Sequence, residues 1–257
     1  MGRVAAVQTW LVVSLVVHLV VLGVGGVYLY KTRHLLKRWY ARRRSGAAKA
    51  HSPAPRLPFY EMRLATFQVL REESSNRPAV LFAGDSLTNA FEWAEFFPHD
   101  RDTLVINRGV SGVGVEFLVD HFEAFFVPGY AVQQVFLMIG INDIRAPTFE
   151  LDPFVRAYDT LLERLLTHFA PDAIYVQSLL PVRVDGIPQT RIPAVNACIR
   201  SLAEAKGTHY IDLFHTLADA EGFLDDKYTL GGVHLSAQGY RRWMDALRPY
   251  LAPGPGA

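Results

Sequence analysis

Ser86 stands in Gly84-Asp85-Ser86-Leu87-Thr88, directly after the apolar run Ala79-Val80-Leu81-Phe82-Ala83. That run has strand length and Val and Phe content, and it ends in a glycine turn, which predicts a strand. A serine there sits at the carboxyl end of a strand, where open α/β sheets place their reacting groups. Three further segments follow: Asn107-Arg108-Gly109, Gly140-Ile141-Asn142-Asp143 and Gly231-Gly232-Val233-His234-Leu235-Ser236. A serine hydroxyl is a poor nucleophile at neutral pH. It needs a base to take its proton and fixed donors for the oxyanion formed when it attacks a carbonyl. A histidine, a side-chain amide and glycine N–H groups are the types that meet those needs, so the pattern points to acyl transfer. Read as plain structure, Ser86 is a helix N-cap, Gly109 and Asn142 are turn residues, and His234 is a loop histidine.

In order and spacing these four segments resemble the SGNH/GDSL hydrolases, a family of lipases, acylhydrolases and esterases, over most of the chain after about Pro78. The resemblance implies Ser86 as nucleophile and His234 as its base. It implies an oxyanion hole formed by the Ser86 amide, Gly109 and Asn142, and it calls for no metal or cofactor. A glycine after the second strand lets a backbone N–H approach a ligand, and an asparagine after the third offers an amide donor. Asp85 and Asp143 match motif positions too and read as orienting or loop-bracing groups. One position departs from the family: the aspartate usual three residues before the histidine is Gly231 here. Such an acid holds the tautomer of the base and stabilises the imidazolium. Without it three outcomes stand open. His234 works in a dyad, Asp225 or Asp226 substitutes, or the domain is degraded and acts as a binding or scaffold module. The substrate implied is a small-molecule or lipid ester. The same fold also hosts carbohydrate deacetylases, thioesterases and O-acyltransferases.

The elements that must position these residues are legible as two alternating periodicities. Short apolar runs at 79–83, 103–106, 134–139, 174–178 and 209–213 alternate with helically spaced segments. In 152–169, for example, Phe154, Tyr158, Leu161, Leu162, Leu165 and Phe169 share a face. A last helix is expected over Ala237 to Leu251. Such alternation predicts a parallel sheet covered on both faces. A five-stranded, three-layer α/β/α sandwich of flavodoxin-like type, over 58–252, is also what the resemblance implies. No G-x-S-x-G elbow, HExxH, Walker A loop or GxGxxG after a strand competes. The single cysteine, Cys198, excludes a disulfide within the chain and reads as a small buried hydrophobe.

The first fifth of the chain is different in kind. From Val4 to Tyr30 there is no charged side chain, and the 20 residues from Leu11 to Tyr30 are dominated by Val and Leu. At about 1.5 Å per residue they span a hydrocarbon core of about 30 Å. Residues 1–30 therefore read as a single transmembrane helix, with His18 in mid-span, rather than a cleaved signal, whose basic residues would precede its apolar core. Here they follow: Lys31, Arg33, Lys37, Arg38, Arg42, Arg43, Arg44 and Lys49. That asymmetry predicts a single-pass membrane protein with its globular domain in the cytoplasm and a basic flank on anionic lipid. Residues 31–57 read as that flank and a linker, and 253–257 as a flexible tail. The first fifty residues hold nine of the 26 Lys and Arg and no Asp or Glu, which leaves 17 against 25, a net of −8. An acidic domain excludes nucleic acid as an expected partner.

Overall fold

The computed structural model describes residues 59–72, 76–96, 103–188 and 190–251. The expected span, the basic flank and the tail lie outside these residues. Among the described residues no helix is long and apolar enough to cross a membrane.

The chain enters through α1 (Phe59–Glu72), then β1 (Pro78–Gly84), the short helices α2 (Ser86–Asn89) and α3 (Trp93–Phe96), and β2 (Leu104–Gly109). Next come α4 (Val115–Asp120), α5 (Phe122–Phe126), β3 (Ala131–Met138), α6 (Ile141–Arg145), α7 (Leu151–Leu166) and β4 (Ile174–Gln177). The last part holds α8 (Arg191–Ala205), β5 (His209–Ile211), α9 (Phe214–Leu217), the hairpin β6 (Thr229–Leu230) and β7 (His234–Leu235), and α10 (Ala237–Leu247). Strands β1 to β5 form one parallel sheet in the order β2-β1-β3-β4-β5. That is a doubly wound order whose direction reverses between β1 and β3, and ligand sites in such sheets lie at the carboxyl ends of the strands flanking the reversal.

Period-two alternation sends the side chains of each strand into two cores. Ala79, Leu81 and Ala83 of β1, with Val135 and Leu137 of β3, meet Phe67 of α1, Leu118 of α4 and the apolar stripe of α7. Val80 and Phe82, with Phe136 and Met138, meet Trp93 of α3 and Tyr240, Trp243 and Met244 of α10. On this second face an aromatic stack crosses the sheet along the strand register. Phe82 lies 4.9 Å from Phe136, Phe136 4.7 Å from Tyr175, and Tyr175 4.6 Å from His209, all near-parallel. Trp93 stacks on Phe82 at 4.1 Å. Each such pair adds about 0.5–1.5 kcal/mol beyond its buried area.

The expected strands are all present. The stripe on α7 is as anticipated up to Leu165, but the helix ends at Leu166 and Phe169 packs from the segment beyond. The last α-helix stops at Leu247, followed by a 3₁₀ turn over Arg248–Tyr250. Cys198 is half-buried on α8 rather than in the core.

On the first face α1 is clamped to β2. Arg63 donates to the carbonyls of Asn107 and Gly109, and the guanidiniums of Arg63 and the buried Arg108 both lie over the Phe67 ring. The Tyr158 hydroxyl on α7 is fully buried and has no hydrogen-bond partner among the described residues. An unpaired buried hydroxyl costs about 1–3 kcal/mol. Tyr158→Phe is therefore expected to hold or raise stability, by up to about 1 kcal/mol, in chemical denaturation. A clear loss would mean that the hydroxyl is satisfied in solution.

Candidate active site

At the carboxyl edge of the sheet β1 leaves Gly84 and turns into α2 through Asp85. The N-cap role belongs to Asp85 rather than to Ser86: its Oδ1 accepts from the Leu87 amide at 2.9 Å. Ser86 is then the first helical residue, and its hydroxyl points away from the helix to His234. Nε2 of His234 lies 3.1 Å from Oγ of Ser86, across 148 residues of sequence. For the hydroxyl to donate to Nε2, the neutral ring must carry its proton on Nδ1.

His234 is fixed by the hairpin that carries it. Leu230 pairs with His234 in the β6–β7 ladder, and Thr229 Oγ1 donates to the His234 carbonyl while accepting from the Gly232 amide. Ser236 caps α10 by accepting from Gly239, and its own hydroxyl donates to the Lys227 carbonyl. The Tyr240 hydroxyl of α10 donates to the Leu87 carbonyl of α2 at 2.8 Å, which ties the helix after the base to the helix of the serine.

No acceptor among the described residues stands on Nδ1 of His234. Gly231 is exposed at φ +76, with nothing within 4 Å of where a Cβ would be. The two expected substitute acids are engaged elsewhere. Asp225 pairs with Lys227 at 2.7 Å, and the hydrogen bond to that ammonium holds its carboxyl below the usual range. Asp226 pairs with Arg183 at 3.0 Å. In this structure local cations hold both carboxylates, and neither stands on Nδ1 of His234.

The donors for an oxyanion also differ from expectation. The Gly109 amide donates to Asn107 Oδ1 at 2.8 Å and is thereby spent. Gly109 is there for packing: a Cβ would stand 2.2 Å from the Asn89 nitrogen of α2. The next glycine, Gly112, lies in the turn after β2, and its amide has no partner among the described residues. Its neighbours are pinned to both sides of the site. Ser111 accepts from Asn89 of α2, and the Val113 carbonyl accepts from Nδ2 of Asn142 at 2.9 Å. Asn142, on α6, thus keeps one amide hydrogen in reserve beside Gly112. Asp143 holds the same loop, accepting from the Val115 amide with both oxygens at 3.2 Å. The signal for Gly112 was present in Val110-Ser111-Gly112-Val113-Gly114, where glycine recurs just beyond the strand.

Two carboxyls lie beneath this edge. Asp85 is 1% exposed, and its Oδ2 has no partner among the described residues. Burial pushes the Asp85 carboxyl up to about 7, against the Leu87 hydrogen bond, with the nearby charge of Asp143 adding to the rise. Asp143 is raised by burial as well. Among the described residues no group of His, Cys, Asp and Glu is arranged to hold a metal ion.

The profile of the GDSL-like lipase/acylhydrolase family matches residues 82–242, well over half of the chain. No curated protein matches. Among solved structures, a Streptococcus pneumonia protein provisionally named platelet activating factor superposes with a TM-score of 0.69 at 24% identity, covering 86% of this chain and 98% of its own. A GDSL-like lipase from Bacteroides thetaiotaomicron gives 0.62 at 17% identity, covering 73% and 96%. An acetylxylan esterase from Geobacillus stearothermophilus gives 0.53 at 19% identity, covering 70% and 96%. These likenesses show a shared fold.

Asp85 generates a pH dependence with a defined sign. Its folded-state value lies above the ordinary one of about 3.9, so its contribution is full below about pH 4 and is lost as pH rises through about 7. The limit is of order 4 kcal/mol. Asp85→Asn keeps the oxygen that caps α2 and removes the ionisation. Thermal unfolding of the two proteins is expected to diverge from pH 4 to 7.5, with the variant gaining. Parallel curves would show that Asp85 ionises without cost.

Proposed function

The chain belongs to the GDSL-like lipase/acylhydrolase family, and on that premise we propose that it is a membrane-anchored serine hydrolase that cleaves carboxylic esters. The observation that carries the proposal is the 3.1 Å contact between His234 Nε2 and Ser86 Oγ. In the proposed reaction Oγ of Ser86 attacks the ester carbonyl carbon as Nε2 of His234 takes its proton. The oxyanion is received by the amides of Ser86 and Gly112 and by the free Nδ2 hydrogen of Asn142, with Gly112 in the place expected for Gly109. Collapse expels the alkoxide, which leaves as an alcohol with the proton from Nε2. Water, activated by the same nitrogen, then releases the acid and restores the serine hydroxyl. With Nδ1 facing solvent, the pair works as a dyad. Removal of the orienting acid from a serine triad costs about 10⁴ in kcat, so slow turnover is part of the proposal.

The anchor reading is supported by the charge-free stretch 4–30, and the basic residues after it favour a domain on the cytoplasmic side. A second reading has one observation in its favour. An exposed base with an unpartnered Nδ1 suits a degraded site that binds without turnover. Labelling of the full-length protein with a fluorophosphonate probe separates the two, because only an activated serine reacts. Labelling is expected in the wild type and absent in Ser86→Ala. A folded wild type that takes no label would establish the binding-module reading.

The vacancy at Gly231 gives a second test. Gly231→Asp has room for its side chain, and the positive φ costs about 1 kcal/mol of stability. If the base lacks only support, turnover of a p-nitrophenyl ester rises at least tenfold in the variant, while thermal unfolding moves down by a few degrees. An unchanged rate in a stably folded variant would show that orientation of His234 is not what limits the reaction.

A further inference from the structure

Of the seven large hydrophobic side chains exposed among the described residues, five are on α1: Phe59, Tyr60, Met62, Val69 and Leu70. Helical geometry sorts this helix into two apolar faces. Phe67 and Leu64 turn to the sheet, while Phe59, Met62, Thr66, Val69 and Leu70 fall within an arc of about 100° that nothing among the described residues covers. Met62 is 54% and Val69 58% exposed. A contiguous apolar stripe on a helix that already has a buried face is a contact surface rather than a leftover of the core.

The stripe starts at the catalytic edge. Arg63 in the first turns of α1 bonds the carbonyls of Asn107 and Gly109 at the end of β2, and Tyr60 packs edge-on against Phe117 of α4. The same edge carries the most exposed large hydrophobic side chain described, Leu230 at 67%, in register with His234.

The sequence identifies what meets this face. The charge-free stretch 4–30 precedes α1, nine Lys and Arg lie between the two, and Glu61 is the first acidic residue of the chain. Even fully extended at about 3.5 Å per residue, segment 31–58 keeps α1 within about 100 Å of a bilayer that holds the stretch before it. A tether converts weak surface affinity into steady occupancy. We propose that the outer stripe of α1, with Leu230, lies on the leaflet from which the chain emerges, so that the site opens at headgroup level onto esters presented by the bilayer. This deepens the membrane-anchored reading above and rests on it. An amphipathic helix in that position buries its apolar side about 5–10 Å into the interface while its charged side stays wet.

The test is depth-dependent fluorescence quenching in the full-length chain, reconstituted in nanodiscs of phosphatidylcholine and phosphatidylglycerol. Single cysteines carry an NBD label in a Cys198→Ser background. The positions are Met62→Cys, Val69→Cys and Leu230→Cys for the face, Asp172→Cys for the exposed far surface, and Val16→Cys for the apolar stretch. The three face positions are expected to emit at shorter wavelength than Asp172→Cys and to be quenched at least twofold by lipid bearing a shallow doxyl group. Val16→Cys is expected to respond to a deep doxyl group. Quenching at Val16→Cys with none at Met62→Cys and Val69→Cys would overturn the docking face and leave the anchor standing. No quenching at Val16→Cys would overturn the anchor, and this inference with it. Disulfide cross-linking between copies through Val69→Cys, without doxyl quenching, would assign the stripe to a second copy instead.

Discussion

The site depends on how closely α2 presses onto the ends of three strands. A Cβ at Gly84 would stand 2.5 Å from Thr88 Oγ1 of α2 and 2.1 Å from the Met138 carbonyl of β3, and one at Gly109 would stand 2.2 Å from the Asn89 nitrogen. Only hydrogen fits at those two points. With both positions bare, the helix that begins at Ser86 sits directly on the edge formed by β1, β2 and β3. That seating brings Asn89 to Ser111, Trp93 to Thr88 and Tyr240 to Leu87. The serine is therefore placed by backbone packing, and the residues around it add little more than bracing.

Below that edge the protein tolerates polar groups that its core leaves poorly satisfied. Among the described residues one oxygen of Asp85 has no partner, nor do Nε and Nη2 of Arg108, whose guanidinium lies over an aromatic ring. Buried charged groups of this kind cost stability unless they are neutralised or paired. Burial answers in both cases by shifting the group toward its neutral form: the carboxyl rises to about 7 and the guanidinium falls to about 10, helped by the charge of Arg63. Aromatic stacking across the opposite face of the sheet supplies dry, well-packed contact of the sort that offsets such costs.

Much of this was legible in the chain because parallel strands buried on both faces read as unbroken apolar runs, and 79–83 and 134–139 are such runs. Ser86, Asn142 and His234 were legible because they follow strand ends or a glycine turn, and the structure brings Ser86 and His234 into contact. What escaped the sequence was decided by single hydrogen bonds. Nothing in Asn107-Arg108-Gly109 reveals that the asparagine turns back to occupy the glycine amide. Nothing in Asp225-Asp226-Lys227 says that a lysine two residues on, and Arg183 from a distant loop, take those carboxylates. The aromatic stack was equally hidden, because it exists only once the register pairs Phe82 with Phe136 and Phe136 with Tyr175.

Trp93 and Trp243 lie 5.0 Å apart at 83°, both buried, and Trp93 donates to the Thr88 carbonyl of the serine helix. Two indoles at that distance and crossing angle share their excited states, and a coupled pair in a fixed asymmetric setting has strong optical activity in the aromatic absorption band. Because one chromophore is bonded to α2 and the other rides on α10, the band reads the relative placement of the nucleophile and the element behind its base. The molecule thus carries a dye-free optical gauge of whether its two reacting residues are in position.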